Sequence, residues 1–246
     1  MHWLELRQPV SSLTHASWFL LAIPLTLLLC RLAQGDRVKQ VGFLIYGLCL
    51  TFCYAGSALW HAFPETHLLA ALDYAGIFAL IAGTTTPVLL VVLRGGWRWT
   101  SLVGIWVVAA CGIVLSAYHE ELPVRVFTLL YLGMGWGMCF SYFQLTRILS
   151  HRNMFLILLG GLLYSIGAIL NWAKWPVLLT GWVGPHEVFH LFVMVGSLTH
   201  FVFMVTILLP FQHPVDAAPI AGELEKDEPV LAGRGEMVTL PSGEAF

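Results

Sequence analysis

Seven apolar stretches, each close to the length of a membrane-crossing helix, constrain this chain more than any other feature. They run over roughly 15–31, 40–61, 68–90, 101–118, 124–142, 154–172 and 186–209. About 20 apolar residues at 1.5 Å rise each cross the hydrocarbon core of a bilayer. Backbone groups in lipid must satisfy one another, which leaves only helices and closed barrels. The runs lack the period-two alternation of barrel strands. The sequence therefore predicts an all-α fold, a seven-transmembrane helix bundle filling residues 1–210 as one membrane domain. Charge agrees with this, because only 11% of residues are charged where a soluble domain carries about 25%.

After Pro210 the composition changes. Pro214, Pro219, Pro229 and Pro241 fall among acidic residues with few aromatics, and residues 211–246 are expected to be a disordered polar tail. The net charge of -2 comes without a basic cluster, so no nucleic-acid partner is expected. The five cysteines sit in or beside apolar runs, with no C-x-x-C. An odd set of buried thiols argues against a disulfide framework. Cys49, Cys53, Ser57 and His61 fall at intervals of four and make one helical stripe. Cys53 lies about 12 Å along a helix from His61, so it is read as a small core residue. The first run lacks a small-x-small cleavage pattern and is read as the first span.

Gly133, Gly135, Gly137, Gly160 and Gly161 are expected at close helix contacts. Pro24 and Pro87 are expected to kink or end their helices. Trp18, Trp60, Trp97, Trp99, Trp172 and Trp175 lie near run ends, where aromatic belts form. On the side of the N-terminus the basic residues are Arg7, Arg125 and Lys174. On the other side they are Arg31, Arg37, Lys39, Arg94, Arg98, Arg147 and Arg152. Seven against three favours the second side as cytoplasmic.

Counting spans locates a candidate site. The ends of even-numbered helices share a side with the starts of the odd-numbered helices that follow. His61 ends the second run, Asp73 follows near the start of the third, and His186 and His190 open the last. All four therefore lie at one membrane face. An ionisable residue at a membrane span is a functional-site hypothesis by default. His186 and His190, four apart, share a helical face and can ligate one ion. Three imidazoles suggest zinc as cofactor, with a fourth position free for water or substrate. Ser57 shares its face with His61, and Asp73 shares one with Thr84. Asp73 can act as general base, hold a water on the metal, or orient a ligand. His15 lies on the same face, where it lines the cavity or sits at the interface. His200 is about 15 Å deeper than His190 and is expected to bond within the bundle.

The string His186-Glu187-Val188-Phe189-His190 also fits H-E-x-x-H, in which the glutamate is the general base of a metalloprotease. Intramembrane proteases of the site-2 type carry that string and take a third aspartate ligand from a later helix. Here only the tail follows the last run, and Asp73 lies upstream.

The ordered motifs resemble the haemolysin III family, the bacterial branch of the progestin and adiponectin receptor superfamily. They are Ser12-Leu13-Thr14-His15-Ala16, Ser57-Ala58-Leu59-Trp60-His61, Leu72-Asp73-Tyr74-Ala75-Gly76-Ile77-Phe78, Ile81-Ala82-Gly83-Thr84-Thr85-Thr86-Pro87, Gly161-Leu162-Leu163-Tyr164-Ser165-Ile166-Gly167 and His186 to Val193. The resemblance implies zinc held by His61, His186 and His190, Asp73 beside the water on that zinc, and Ser57 next to Asp73. Related membrane ceramidases share the S-x-x-x-H, Asp and H-x-x-x-H set. By that similarity Asp73 and Ser57 are the catalytic candidates, and the reaction is hydrolysis of a lipid amide or related ester in a bacterial plasma membrane. A non-catalytic receptor-like or pore-forming protein with structural zinc is the alternative. Membrane lipid is the expected partner, as substrate or acyl ligand. Receptor members are expected to hold the zinc face in the cytoplasm, opposite to what the charge count here favours.

Overall fold

The structure, a computed structural model, describes residues 6–213. The tail expected to be disordered lies, from residue 214 on, outside the described residues. Helices α1 (Pro9–Leu32), α2 (Arg37–Ala62), α3 (His67–Val92) and α4 (Gly95–Ser116) are single spans. The fifth span is two helices, α5 (Val124–Trp136) and α6 (Cys139–Thr146), and α7 (His151–Trp172) is the sixth. The seventh is α8 (Pro185–Phe203), continued by a π-helical turn at Met204–Leu208. The protein is thus an all-α membrane protein of seven spans, each helical stretch meeting the length and apolarity a bilayer demands.

Local chemistry sets where the helices start. Asp36 accepts a hydrogen bond from the Lys39 backbone N–H (3.0 Å), Thr66 from Leu69 (3.2 Å) and Ser150 from Asn153 (3.2 Å). Each satisfies one of the donors that a first helical turn leaves orphaned. Pro9 and Pro185 occupy first-turn positions, where a missing N–H costs nothing. Neither internal proline ends its helix: α1 runs on past Pro24 and α3 past Pro87. Membrane helices tolerate proline where neighbours and hydroxyls re-satisfy the backbone. The Thr85 and Thr86 hydroxyls donate back to the carbonyls of Ile81 and Ala82 (2.8 and 2.7 Å), just before the Gly83 carbonyl to which Pro87 has no N–H to give.

The most extensive packing joins α2 to α3. A Cβ on Gly76 would stand 2.8 Å from Cys53 Cα, and one on Gly83 would stand 2.5 Å from Cys49 Cβ. Only hydrogen fits there, and the stripe of Cys49 and Cys53 is the partner surface, consistent with small core residues. The glycines expected to form seams elsewhere divide. Gly160 lies against the His200 ring, where a Cβ would come within 2.3 Å of Nε2. Gly133, Gly135 and Gly161 face open space, and Gly137 meets only backbone of its own span. Gly135 and Gly161 line a cavity instead of a contact.

Lys39, counted above as a loop charge, has a structural role. It is buried, and its ammonium donates to the carbonyls of Leu209 (2.8 Å) and Phe211 (2.6 Å), with Asp36 at 3.5 Å. It fastens the end of the last span to the start of the second. Of the belt tryptophans, Trp97, Trp99, Trp172 and Trp175 are exposed, as interfacial rings should be.

Candidate metal centre

His61 is the next-to-last residue of α2, and His186 and His190 fall in the first two turns of α8. The two helices bring one ligand atom from each of these histidines within 4.8 Å of the other two. Ring centroids are 5.0 Å apart for His61 and His186, 4.9 Å for His61 and His190, and 4.4 Å for His186 and His190. His61 and His190 are buried, each 2% exposed, and His186 is half-buried. Three imidazoles from two distant segments thus converge.

The donor set fits a tetrahedral metal. His61 Nε2 and His186 Nε2 are 3.4 Å apart. Two nitrogens on one zinc at 2.0–2.1 Å and a tetrahedral angle are separated by about 3.3 Å. His190 Nδ1 is buried without a partner, and a buried polar atom left so asks for an explanation.

Sequence reasoning missed the group that orients His61. Gln8 Oε1 is hydrogen-bonded to His61 Nδ1. A carboxamide oxygen can only accept, so Nδ1 carries the proton and Nε2 is left with its lone pair toward His186. Gln8 is held in turn by backbone. Its N–H donates to the His61 carbonyl (3.0 Å), and the Arg7 N–H donates to that of Ala62 (3.3 Å). The Arg7 guanidinium pairs with Glu65, donates to the Trp60 carbonyl and lies 4.3 Å from the Trp60 ring. A strap ahead of the first span thereby fixes a candidate ligand on the second. No sequence pattern announces it, because Gln8 stands outside every apolar run.

Glu187 is engaged otherwise than the protease string requires. Its Oε2 accepts from the Gly184 backbone N–H (2.9 Å) and its Oε1 from the Ser11 hydroxyl (2.9 Å). It caps α8 and ties that helix to α1, so each oxygen already accepts a structural bond.

Below the triad lies a cavity of about 550 Å³. His186 and His190 line it together with Ser57, Asp73, Thr84 and His15. Ser57 and Asp73 share that wall. Asp73 does not belong to the group whose ligand atoms meet within 4.8 Å, so the triad is purely imidazole and the carboxylate stands on the wall beside it. The cavity continues past Tyr164 and His200 to Phe203 and Met204, and its walls are mostly apolar side chains. His200 Nε2 is 3.2 Å from the Ile157 carbonyl, the bonding within the bundle that its depth predicted. His15 is buried, which decides between its two expected positions in favour of the cavity.

Comparison with known proteins agrees with the motifs. A family model described as "Haemolysin-III related" matches residues 5–201. Hemolysin-3 of Bacillus cereus is 35% identical over 206 residues, covering 81% of this chain and 91% of that protein. The Hemolysin-3 homolog of Bacillus subtilis (strain 168) is 35% identical over 209 residues, covering 82% and 95%.

Proposed function

The chain belongs to the haemolysin III family, and from that premise we propose that it is a zinc-dependent hydrolase of lipid amides. It is a multi-pass membrane protein, and its bacterial relatives make the plasma membrane its site. The observation that carries the reading is continuity: His186, His190, Ser57 and Asp73 line one cavity whose apolar depth suits an acyl chain. His61, His186 and His190 would hold the zinc. Zinc, when bound, acidifies a coordinated water and polarises a carbonyl.

The chain's own residues supply the rest. The apolar walls hold the acyl chain and keep bulk water out. Asp73 takes the proton of the attacking water on a carboxylate oxygen and returns it to the leaving nitrogen. Ser57, which lines the same cavity, supplies a hydroxyl that donates to that carboxylate during the reaction. General acid–base help of this kind contributes about 10²- to 10⁴-fold to rate. Purified protein loaded with zinc should release fatty acid from an N-acyl lipid in detergent. Asp73→Asn should lower that release about 100-fold or more with bound metal unchanged. Equal release by both proteins would refute the role of Asp73, and no release from any N-acyl lipid would refute the hydrolase.

A second reading has its own observation. The triad joins α2 to α8, so a metal there would act as a crosslink, and the relatives carry the name hemolysin. In a lytic protein with structural zinc, Asp73→Asn would leave red-cell lysis intact and His61→Ala would abolish it through the fold.

A further inference from the structure

His15 belongs neither to the triad nor to the carboxylate pair, and it is the least satisfied polar side chain near the site. It is 4% exposed, and both of its ring nitrogens are buried without a hydrogen-bond partner. Its ring stacks on that of His190, with centroids 3.8 Å apart and planes 24° apart, and meets the Tyr54 ring edge-on at 5.0 Å. It lines the same cavity as Asp73 and His186.

The neighbouring hydroxyls are already engaged. Ser11 donates to Glu187, Ser12 to the Ala58 carbonyl and Thr14 to the carbonyls of Val10 and Ser11. The Tyr54 hydroxyl bonds Ser197 (2.8 Å). His15 is also no fourth ligand, since its nitrogens fall outside the group that meets within 4.8 Å. Buried polar atoms without partners are few in folded proteins, and each asks for a group from outside the chain.

Resting on the hydrolase reading, we propose that His15 binds the polar end of the lipid that occupies the cavity, and that it selects for headgroups carrying a hydrogen-bond donor. An uncharged imidazole has one N–H to give and one lone pair to receive. It is satisfied by a group that both accepts and donates. An N-acyl amide with a hydroxyl on its amine part does so, through its carbonyl on one side and its N–H or O–H on the other. A simple alkyl ester accepts only, and would leave one buried nitrogen of His15 bare. The stack on His190 sets the ring against the triad, at the cavity end where the scissile bond has to lie.

The test is binding, not turnover. Zinc-loaded full-length protein in detergent is given a fluorescent long-chain fatty acid, which is then displaced by N-oleoylethanolamine or by methyl oleate. Asp73→Asn is present throughout, so that the amide is bound and not cleaved, and wild type refers to position 15. The wild type should prefer the amide by about tenfold or more, the worth of a hydrogen bond made or lost at a buried site. His15→Phe keeps the ring stack and removes both nitrogens, so the two competitors should become equal while bound zinc stays at the wild-type amount. His15→Gln retains a donor and an acceptor and should recover most of the preference. Equal binding of both competitors by wild type overturns the proposal, as does a preference that survives in His15→Phe. Loss of zinc in His15→Phe overturns it in favour of a metal-holding role. If the fluorescent acid itself does not bind, the hydrolase reading falls first and this proposal falls with it.

Discussion

The two halves of the bundle are built differently. Of the apolar stretch of α3, 78% is buried, and α2 packs against it so closely that Gly76 and Gly83 leave room for hydrogen alone. In the fifth span the buried share is 17%, its helix breaks after Trp136, and Gly133 and Gly135 look into open space. The same residue type therefore does opposite things. Between α2 and α3 glycine closes a seam, and in the fifth span it leaves a cavity. His61, Ser57 and Asp73 stand on the tight pair α2 and α3, whereas His186 and His190 stand on α8, whose flank is the cavity. The triad spans the boundary between the tightly packed pair and the cavity-lining helices.

The boundary can be broken most directly at the metal. His186→Ala should take bound zinc from about one per chain to near none, with a large fall in melting temperature, because metal affinity is folding energy where the site forms only in the folded state. Next in size is a matched pair across the halves. Gly76→Val should destabilise the fold by about 1–3 kcal/mol through overpacking. Gly133→Val should stay within about 0.5 kcal/mol of wild type. Thermal unfolding in one detergent measures both, and equal losses would abolish the distinction drawn between the halves. Gln8→Ala should weaken zinc binding about 10- to 100-fold by freeing the His61 ring, measured by competition with a chelator of known affinity. Lys39→Met should cost about 1 kcal/mol of stability with the hydrogen bonds it makes to Leu209 and Phe211, and leave bound metal unchanged.

The three ligands were legible because their placement follows from two simple rules. A four-residue interval puts His186 and His190 on one face, and alternation of spans puts His61 at the same surface. Ser57 and Asp73 followed by the same count. Gln8 was not legible, because its partner is reached through the folding of a segment before the first span and no periodicity reports that. The glycines were half legible. A run such as Gly133-Met134-Gly135 reads the same whether a neighbour approaches or stays away, and only the facing helix decides. The charge count also weighed residues that have other employment. Lys39 holds carbonyls of the last span and Arg7 is occupied by Glu65 and Trp60, so neither is a free marker of sidedness.

The strap formed by Arg7 and Gln8 has a practical corollary for anyone handling this protein. A purification handle or reporter spliced ahead of it would tug on the imidazole of His61 through one side-chain bond and two backbone ones. Preparations carrying such additions should leave the column under-filled with metal, however well folded their helices look by circular dichroism, and the vector would then be mistaken for the biology.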